Sequence, residues 1–316
     1  MGVRPFRFGV VVESARTAED LVRTARRAEE LGYATLNVRD HFVREPFGDQ
    51  LAPMVALTAA ACATRALRVG TLVLANDYRH PVMLAKEAAT LDRLSGGRLE
   101  LGLGAGWLRE EYERAGLPFD PPGTRVDRLA EALHVIKGLL AGEEVTFTGD
   151  HYRVHGLSTF PRPARRPPIL VGAGSPRMLR LAGREADIVG VLPPARPGGT
   201  IAGGFAERLP EAVDAQLVQV RRGAGKRWPS VELSMLVSPT FAGHPRRGAE
   251  AAAARRGWPP EAVDLIPRMP SQFVGPPEHM AEQMAGRRER YGFSYYVVAD
   301  SAMEDFAPVV GLLTGR

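Results

Sequence analysis

The sequence predicts an α/β protein, a (β/α)8 barrel, and three observations lead there. Short apolar runs alternate with helical patterns along nearly the whole chain, the mark of βα units and a parallel sheet. Eight of those runs read as strands, the number a closed barrel needs. The rival doubly wound sheet wants a glycine-rich turn after its first strand, and Val12-Glu13-Ser14-Ala15 offers no glycine. The later Gly102-Leu103-Gly104-Ala105-Gly106 does not rescue it, because Trp107 breaks the dinucleotide spacing.

Residues 6–12 form the first expected strand. A helix over 17–31 follows, with Thr17 as N-cap, Leu21, Val22, Ala25 and Ala28 on one face, and Gly32 as the closing glycine. Strand two is 35–39, then a helix over 54–64, then strand three over 67–74. Pro81 opens a helix that turns Leu84, Ala85, Ala88 and Leu91 inward. Ser95-Gly96-Gly97 leads into strand four, 98–103, and a proline-rich excursion precedes a helix over 125–140. Residues 144–157 differ: two β-rich runs around Gly149-Asp150 predict a hairpin inserted between units. The rhythm then resumes with strand 168–171, helix 176–183 and strands 187–191, 231–237 and 293–298, closed by a helix over 305–313. Residues 193–205, rich in Gly and Pro, and 242–277, rich in Ala, Arg and Pro, are weakly patterned, and the first is a candidate lid. No exact repeat and no linker divides the 316 residues, so a single domain over 1–316 is expected.

Composition narrows the function. The net charge of +5 is nearly all arginine, since lysine occurs only at Lys86, Lys137 and Lys226. The paired arginines are scattered among acids and apolar residues with no stacking platform, which speaks against nucleic acid and suits small anionic ligands. The longest stretch without Asp, Glu, Lys or Arg is fifteen residues, 50–64, broken by Pro53 and too short to span a membrane. Glu13 interrupts the first apolar run, so no signal peptide is expected, and Phe6 argues against myristoylation at Gly2. A cytoplasmic location follows as an expectation. The single cysteine, Cys62, lies in an alanine-rich apolar stretch and reads as a buried thiol, with no disulfide and no cysteine metal cluster.

In a barrel the site is assembled from the loops after the strands. Those positions hold Glu13, Asp40-His41, Ala75-Asn76, Gly104-Ala105-Gly106-Trp107, Gly172-Ala173-Gly174-Ser175, Leu192-Pro193, Ser238 and Ala299-Asp300. His41 is either a proton donor and acceptor or an ordinary structural histidine. The VGAGSP segment either binds a phosphate at a helix N-terminus or is a tight turn that needs glycine for its geometry. His151 and His155 lack a third partner for a metal, and no HExxH, GxSxG or P-loop signature occurs.

Three blocks carry a resemblance. VGTLVLANDYRHPVMLAKEAATLDRLSGGRLELGLGAGWLREEY, PPILVGAGSPRMLRLAGREADIVG and FVGPPEHMAEQMAGRRERYGFSYYVV, with the RDHF turn, resemble the luciferase-like monooxygenase superfamily, and most of all its coenzyme F420-dependent oxidoreductase branch. The resemblance implies a TIM barrel of the bacterial-luciferase type with insertion segments, often a homodimer. It also implies a non-prolyl cis peptide between Leu72 and Val73 behind the cofactor ring, Ala75 and Asn76 lining that ring, and Gly104, Ala105 and Gly106 flanking it. Gly172, Ala173, Gly174 and Ser175 would take the cofactor phosphate, and Asp40 and His41 would stand near ring and substrate, His41 as the catalytic acid or base. Two departures are visible: Trp107 replaces a glutamate found in some sugar-phosphate dehydrogenases of the branch, and Ala75 stands where a hydroxyl residue can occur.

Two chemistries follow from the resemblance. With F420 the protein would move a hydride to or from a small organic substrate. With FMN it would be a monooxygenase using reduced flavin and oxygen. A reductase for F420 or flavin would supply reduced cofactor, and the third reading is a non-catalytic flavin-binding barrel.

Overall fold

A computed structural model describes residues 4–13, 15–163, 165–196, 198–201 and 204–316. Gly2 lies outside the described residues, as do Pro197, Ala202 and Gly203 of the candidate lid.

The chain begins with β1 (Arg7–Val12), α1 (Ala18–Glu30), β2 (Thr35–Val38), α2 (Pro53–Ala63), β3 (Arg68–Thr71), β4 (Leu74–Ala75), α3 (Pro81–Leu94) and β5 (Leu99–Gly104). It continues through α4 (Arg109–Arg114), α5 (Pro122–Ala141), β6 (Val145–Thr148), β7 (Arg153–Leu157), β8 (Ile169–Ala173), α6 (Pro176–Glu185) and β9 (Ile188–Val191). The remainder is β10 (Ala195–Arg196), β11 (Thr200–Ile201), α7 (Pro210–Ala224), β12 (Glu232–Leu236), β13 (Ser238–Phe241), α8 (Pro245–Arg256), α9 (Ala262–Leu265), β14 (Gln272–Gly275), α10 (Pro277–Tyr291), β15 (Phe293–Ala299) and α11 (Met303–Leu313).

Strands run in the order β3-β2-β1-β15-β12-β9-β8-β5-β4, and β3 also pairs with β5, which closes the ring. Every pairing in it is parallel. Since β3 and β4 are halves of one interrupted strand, the sheet is an eight-stranded parallel barrel with helices outside. The interruption is the peptide between Leu72 and Val73, which is cis and, among the described residues, the one cis bond not preceding proline.

The local chemistry of the elements is visible in the sequence. Thr17 caps α1 by accepting from the amide of Asp20 at 3.1 Å, and just past its C-cap Leu31 stands Gly32, whose φ of +81° suits glycine. The strands of the barrel are largely buried on both faces, and read as apolar runs for that reason. At the N-terminal mouth Arg7 bridges Glu100 (2.7 Å) and Glu232 (2.8 Å), while Arg68 holds Glu100 at 2.6 Å. That ion network plugs one end and leaves the other for ligands.

β6 and β7 form an antiparallel hairpin against α5, where the Glu131 carboxylate accepts the amides of Asp150, His151 and Tyr152 at 2.9–3.0 Å. Two expectations need correction. Cys62 is exposed, because it falls on the outer face of α2 and not on the Ala56, Leu57, Ala60, Ala61 face packed inward. The weakly patterned 242–277 stretch holds α8, α9 and β14, and β14 pairs in parallel with β13 beside the barrel; small alanines on α8 blurred its helical period.

Candidate active site

A cavity of about 430 Å³ opens at the C-terminal ends of the barrel strands. Its floor is the interrupted strand. Leu72, Val73 and Ala75 border it, flanked by Gly104 at the end of β5, by Ala105 and Gly106 just after it, and by Gly172 and Ala173 at the end of β8. Gly174 and Ser175 complete the wall as the chain enters α6. A side chain at Gly104 would put its Cβ 2.8 Å from the Val73 Cγ2, and one at Gly172 would stand 3.3 Å from both Val73 methyls. Val73 therefore sits in a slot that only glycines leave clear, and the result is a smooth apolar bed.

Ser175 has extended backbone angles at the start of α6, makes no side-chain capping bond, and is followed by Pro176 in the first turn. The positive end of a ten-residue helix thus meets the cavity next to a glycine-rich turn. Gly174 is also a close approach, because a Cβ there would lie 2.7 Å and 2.8 Å from the carbonyl oxygens of Pro193 and Leu192. A flat polycyclic ring with a phosphate on its tail fits this bed and this helix end.

The polar residues gather at the end of β2, the strand paired with β3. His41 follows β2 and is mostly enclosed, its ring between Phe47 (4.9 Å) and Trp107 (5.8 Å). Its Nδ1 lies 3.0 Å from Oε2 of Glu111, on α4. Glu111 is 1% exposed. Its other oxygen accepts the amides of Phe42 and Val43, and the Tyr78 hydroxyl donates to Oε2 at 2.9 Å. Burial pushes the Glu111 carboxyl up, but the His41 hydrogen bond and charge and the two amides prevail and hold it below the ordinary glutamate value. Burial and the nearby Glu111 charge push the Tyr78 phenol the other way, well above its usual range, so it stays protonated and donates. With an ionised carboxylate on Nδ1, that nitrogen carries the proton and Nε2 is left to take or give one.

Asp40 also borders the cavity, yet its carboxylate is occupied: it is paired with both Arg79 Nη atoms (2.5 and 2.8 Å) and accepts the Ala75 amide at 3.0 Å. It fixes the end of the interrupted strand. Asn76 is the candidate site residue that does not border the cavity; its Nδ2 donates to the Tyr152 hydroxyl of the hairpin at 3.2 Å. Glu13 and Asp300 stand apart from the cavity as well, the Glu13 amide donating to Asp300 at 3.1 Å and its carboxylate holding Arg39 at 2.8 Å.

The site contains residues that the strand-end reading missed. Glu111 and Tyr78 are two; Glu111 hides in the charged run Arg109-Glu110-Glu111 and is the member α4 turns inward beside buried Tyr112. Arg125 is a third, its Nη1 donating to the Gly106 carbonyl at 2.9 Å and shaping the loop after β5. Among the described residues no group of three or more His, Cys, Asp or Glu is placed to hold a metal.

A family profile described as luciferase-like monooxygenase matches residues 3–205. The chain is similar to an F420-dependent glucose-6-phosphate dehydrogenase of Microbacterium testaceum, 30% identical over 312 residues, covering 98% of this chain and 89% of the relative. It is also similar to the enzyme of that name from Intrasporangium calvum, 35% identical over 208 residues; the match covers 64% of this chain and spans 61% of the relative's length. Among solved structures, an F420-dependent secondary alcohol dehydrogenase in complex with an F420-acetone adduct shares the fold, with a TM-score of 0.76 at 19% identity over 98% of each chain.

Proposed function

Since the chain belongs to the luciferase-like monooxygenase family, we propose that it is an F420-dependent oxidoreductase that moves a hydride between the deazaflavin and a small organic substrate. The observation that carries this reading is one cavity bordered by both a glycine-cleared apolar bed around Val73 and the His41–Glu111 pair. The bed accommodates a flat ring, and the pair accommodates a proton that must leave or arrive as a hydride moves.

In this reading Leu72, Val73 and Ala75 back the ring, Gly104, Ala105 and Gly106 edge it, and Gly172 to Ser175 with the α6 N-terminus hold its phosphate. When bound, the deazaflavin supplies a hydride-carrying carbon where a flavin has nitrogen. The protein's own residues do the rest. His41 Nε2 holds or accepts the substrate proton, Glu111 fixes the tautomer, and Tyr78 fixes Glu111. Phe47 and Trp107 flank the imidazole and exclude water from it. Asp40 and Arg79 keep the floor in register with His41, because Asp40 is its chain neighbour. The FMN-dependent monooxygenase alternative has less support, because the relative spanning 98% of the chain is named for F420.

The reading extends to a single domain, a cytoplasmic location and a homodimer, with a separate reductase restoring the cofactor. The dimer rests on α2, which carries no charge: Val55, Thr58 and Cys62 lie outward at helical spacing, with Val55 73% exposed. Exposed Met83 and Leu94 lie on the neighbouring α3.

Side-by-side titration of the purified protein with F420 and FMN tests the cofactor assignment. Micromolar or tighter F420 binding with weak FMN binding is expected; the reverse preference would overturn it.

A further inference from the structure

Gln216 lies in the middle of α7 and is half-buried at the edge of the cavity. Its Nε2 donates to two backbone carbonyls from different strand ends: Gly174, after β8, at 3.1 Å, and Leu192, after β9, at 2.8 Å. Two carbonyl acceptors fix which end of the side-chain amide is the nitrogen, and they use both of its hydrogens. The Leu192 amide adds a third link between the same strand ends by donating to the Ala173 carbonyl at 2.9 Å.

This clasp sits where partial charges of opposite sign meet. The carbonyl oxygens of Leu192 and Pro193 crowd Gly174 so closely that a Cβ there would lie 2.8 Å and 2.7 Å from them. One residue on, Ser175 opens α6 without a side-chain capping bond, so the helix starts with amides that still want acceptors. A phosphate is drawn to those amides and repelled by bare carbonyl oxygens beside them. The Gly174–Ser175 peptide is trans, so its C=O and N–H point opposite ways. Tying the Gly174 oxygen to Gln216 therefore aims the Ser175 amide away from Gln216 and holds it there.

The clasp is not what keeps α6 and α7 together. The two helices pack backbone to backbone at Gly183 and Gly223, where a Cβ would stand 2.2 Å from the Val220 carbonyl oxygen and 2.0 Å from that of Arg180. Arg180 also reaches across to Gln219 at 2.7 Å. We propose that Gln216 is a positioning residue for the cofactor phosphate: it occupies the Gly174 and Leu192 carbonyls and sets the aim of the amides that open α6. The proposal rests on the cofactor reading above, in which the turn after β8 receives that phosphate.

The test compares two probes that differ by the phosphate alone: the deazaflavin carrying only its ribityl chain, and its 5′-phosphate. Fluorescence titration of the wild type should show tighter binding of the phosphate. Gln216→Met keeps the length of the side chain and removes the donor. It should lower affinity for the phosphate by on the order of tenfold, leave the phosphate-free probe unchanged and shift Tm little. Gln216→Glu should lose more, because an anion then faces both the carbonyls and the phosphate. If Gln216→Met does not fold, the same ratio measured on Gln216→Glu decides. No loss in the variant, or an equal loss for both probes, would overturn the role of Gln216 and leave the phosphate at the turn. A wild type that binds the two probes equally would overturn the phosphate turn and Gln216 with it. If the protein binds flavins in place of deazaflavins, FMN against riboflavin gives the same ratio: the F420 assignment then falls, and a ratio that collapses in Gln216→Met still upholds Gln216.

Discussion

His41 and Glu111 meet across 70 residues of chain, with Nδ1 of the imidazole 3.0 Å from a carboxylate oxygen that also accepts the Tyr78 hydroxyl. The pair converts a strand-end histidine into an oriented one. His41→Ala is expected to lower kcat by roughly 10²–10⁴-fold while F420 affinity holds. Glu111→Gln frees the tautomer without emptying the space and should cost about 10–100-fold in kcat, with an altered pH profile and KM little changed. Equal kcat in wild type and His41→Ala would remove His41 from the chemistry.

Glu111 should also leave a mark on acid stability. Its folded pKa lies below the ordinary 4.5, so its ionised form stabilises the fold above that value, and the benefit is lost as pH falls through the depressed value. Glu111→Gln never has the benefit. The Tm gap between wild type and variant should therefore be widest near pH 7 and narrow steadily below about pH 4.5. Thermal melts across that range check it, and a gap that widens in acid would refute the assignment.

Gly172 and Gly174, at the end of β8 and just before α6, should respond differently to one methyl group. Gly172→Ala meets only side-chain methyls at 3.3–3.4 Å, so the fold should survive and F420 affinity should fall as the bed narrows. Gly174→Ala drives its Cβ against the backbone of Leu192, Pro193 and Pro194 and should destabilise by about 1–3 kcal/mol. Melting and F420 titration of both variants separate the effects; an unchanged Tm for Gly174→Ala would show that the 192–194 backbone yields.

The α2 stripe predicts association. Val55→Arg places a charge in the middle of it and should turn a dimer into a folded monomer, read by analytical ultracentrifugation, with Tm lowered only by the lost contact. A wild-type protein that is monomeric at all concentrations would sink the dimer.

Much of the architecture could be read from the sequence because barrel strands buried on both faces are short apolar runs, and because Pro81 and Pro176 mark helix starts. The glycines at 104, 172 and 174 were visible as gaps in side-chain cover at strand ends. What escaped was whatever depends on a distant partner. Glu111 carries no local sign of burial; only its encounter with His41, Phe42 and Tyr78 sets it apart from Glu110 and Glu113, its neighbours in the same charged run. Asp40 looked like a site residue, and its commitment to Arg79 and the Ala75 amide appears only in three dimensions. Cys62 was misplaced because an uncharged helix does not announce which face is inward.

That misplaced cysteine has a practical consequence. Cys62 is the chain's one thiol and is exposed on the α2 stripe, so a maleimide fluorophore would attach at a single known address without prior mutagenesis. Because a dimer through the stripe would cover that thiol, its rate of labelling would itself report the dissociated fraction, in the unaltered sequence.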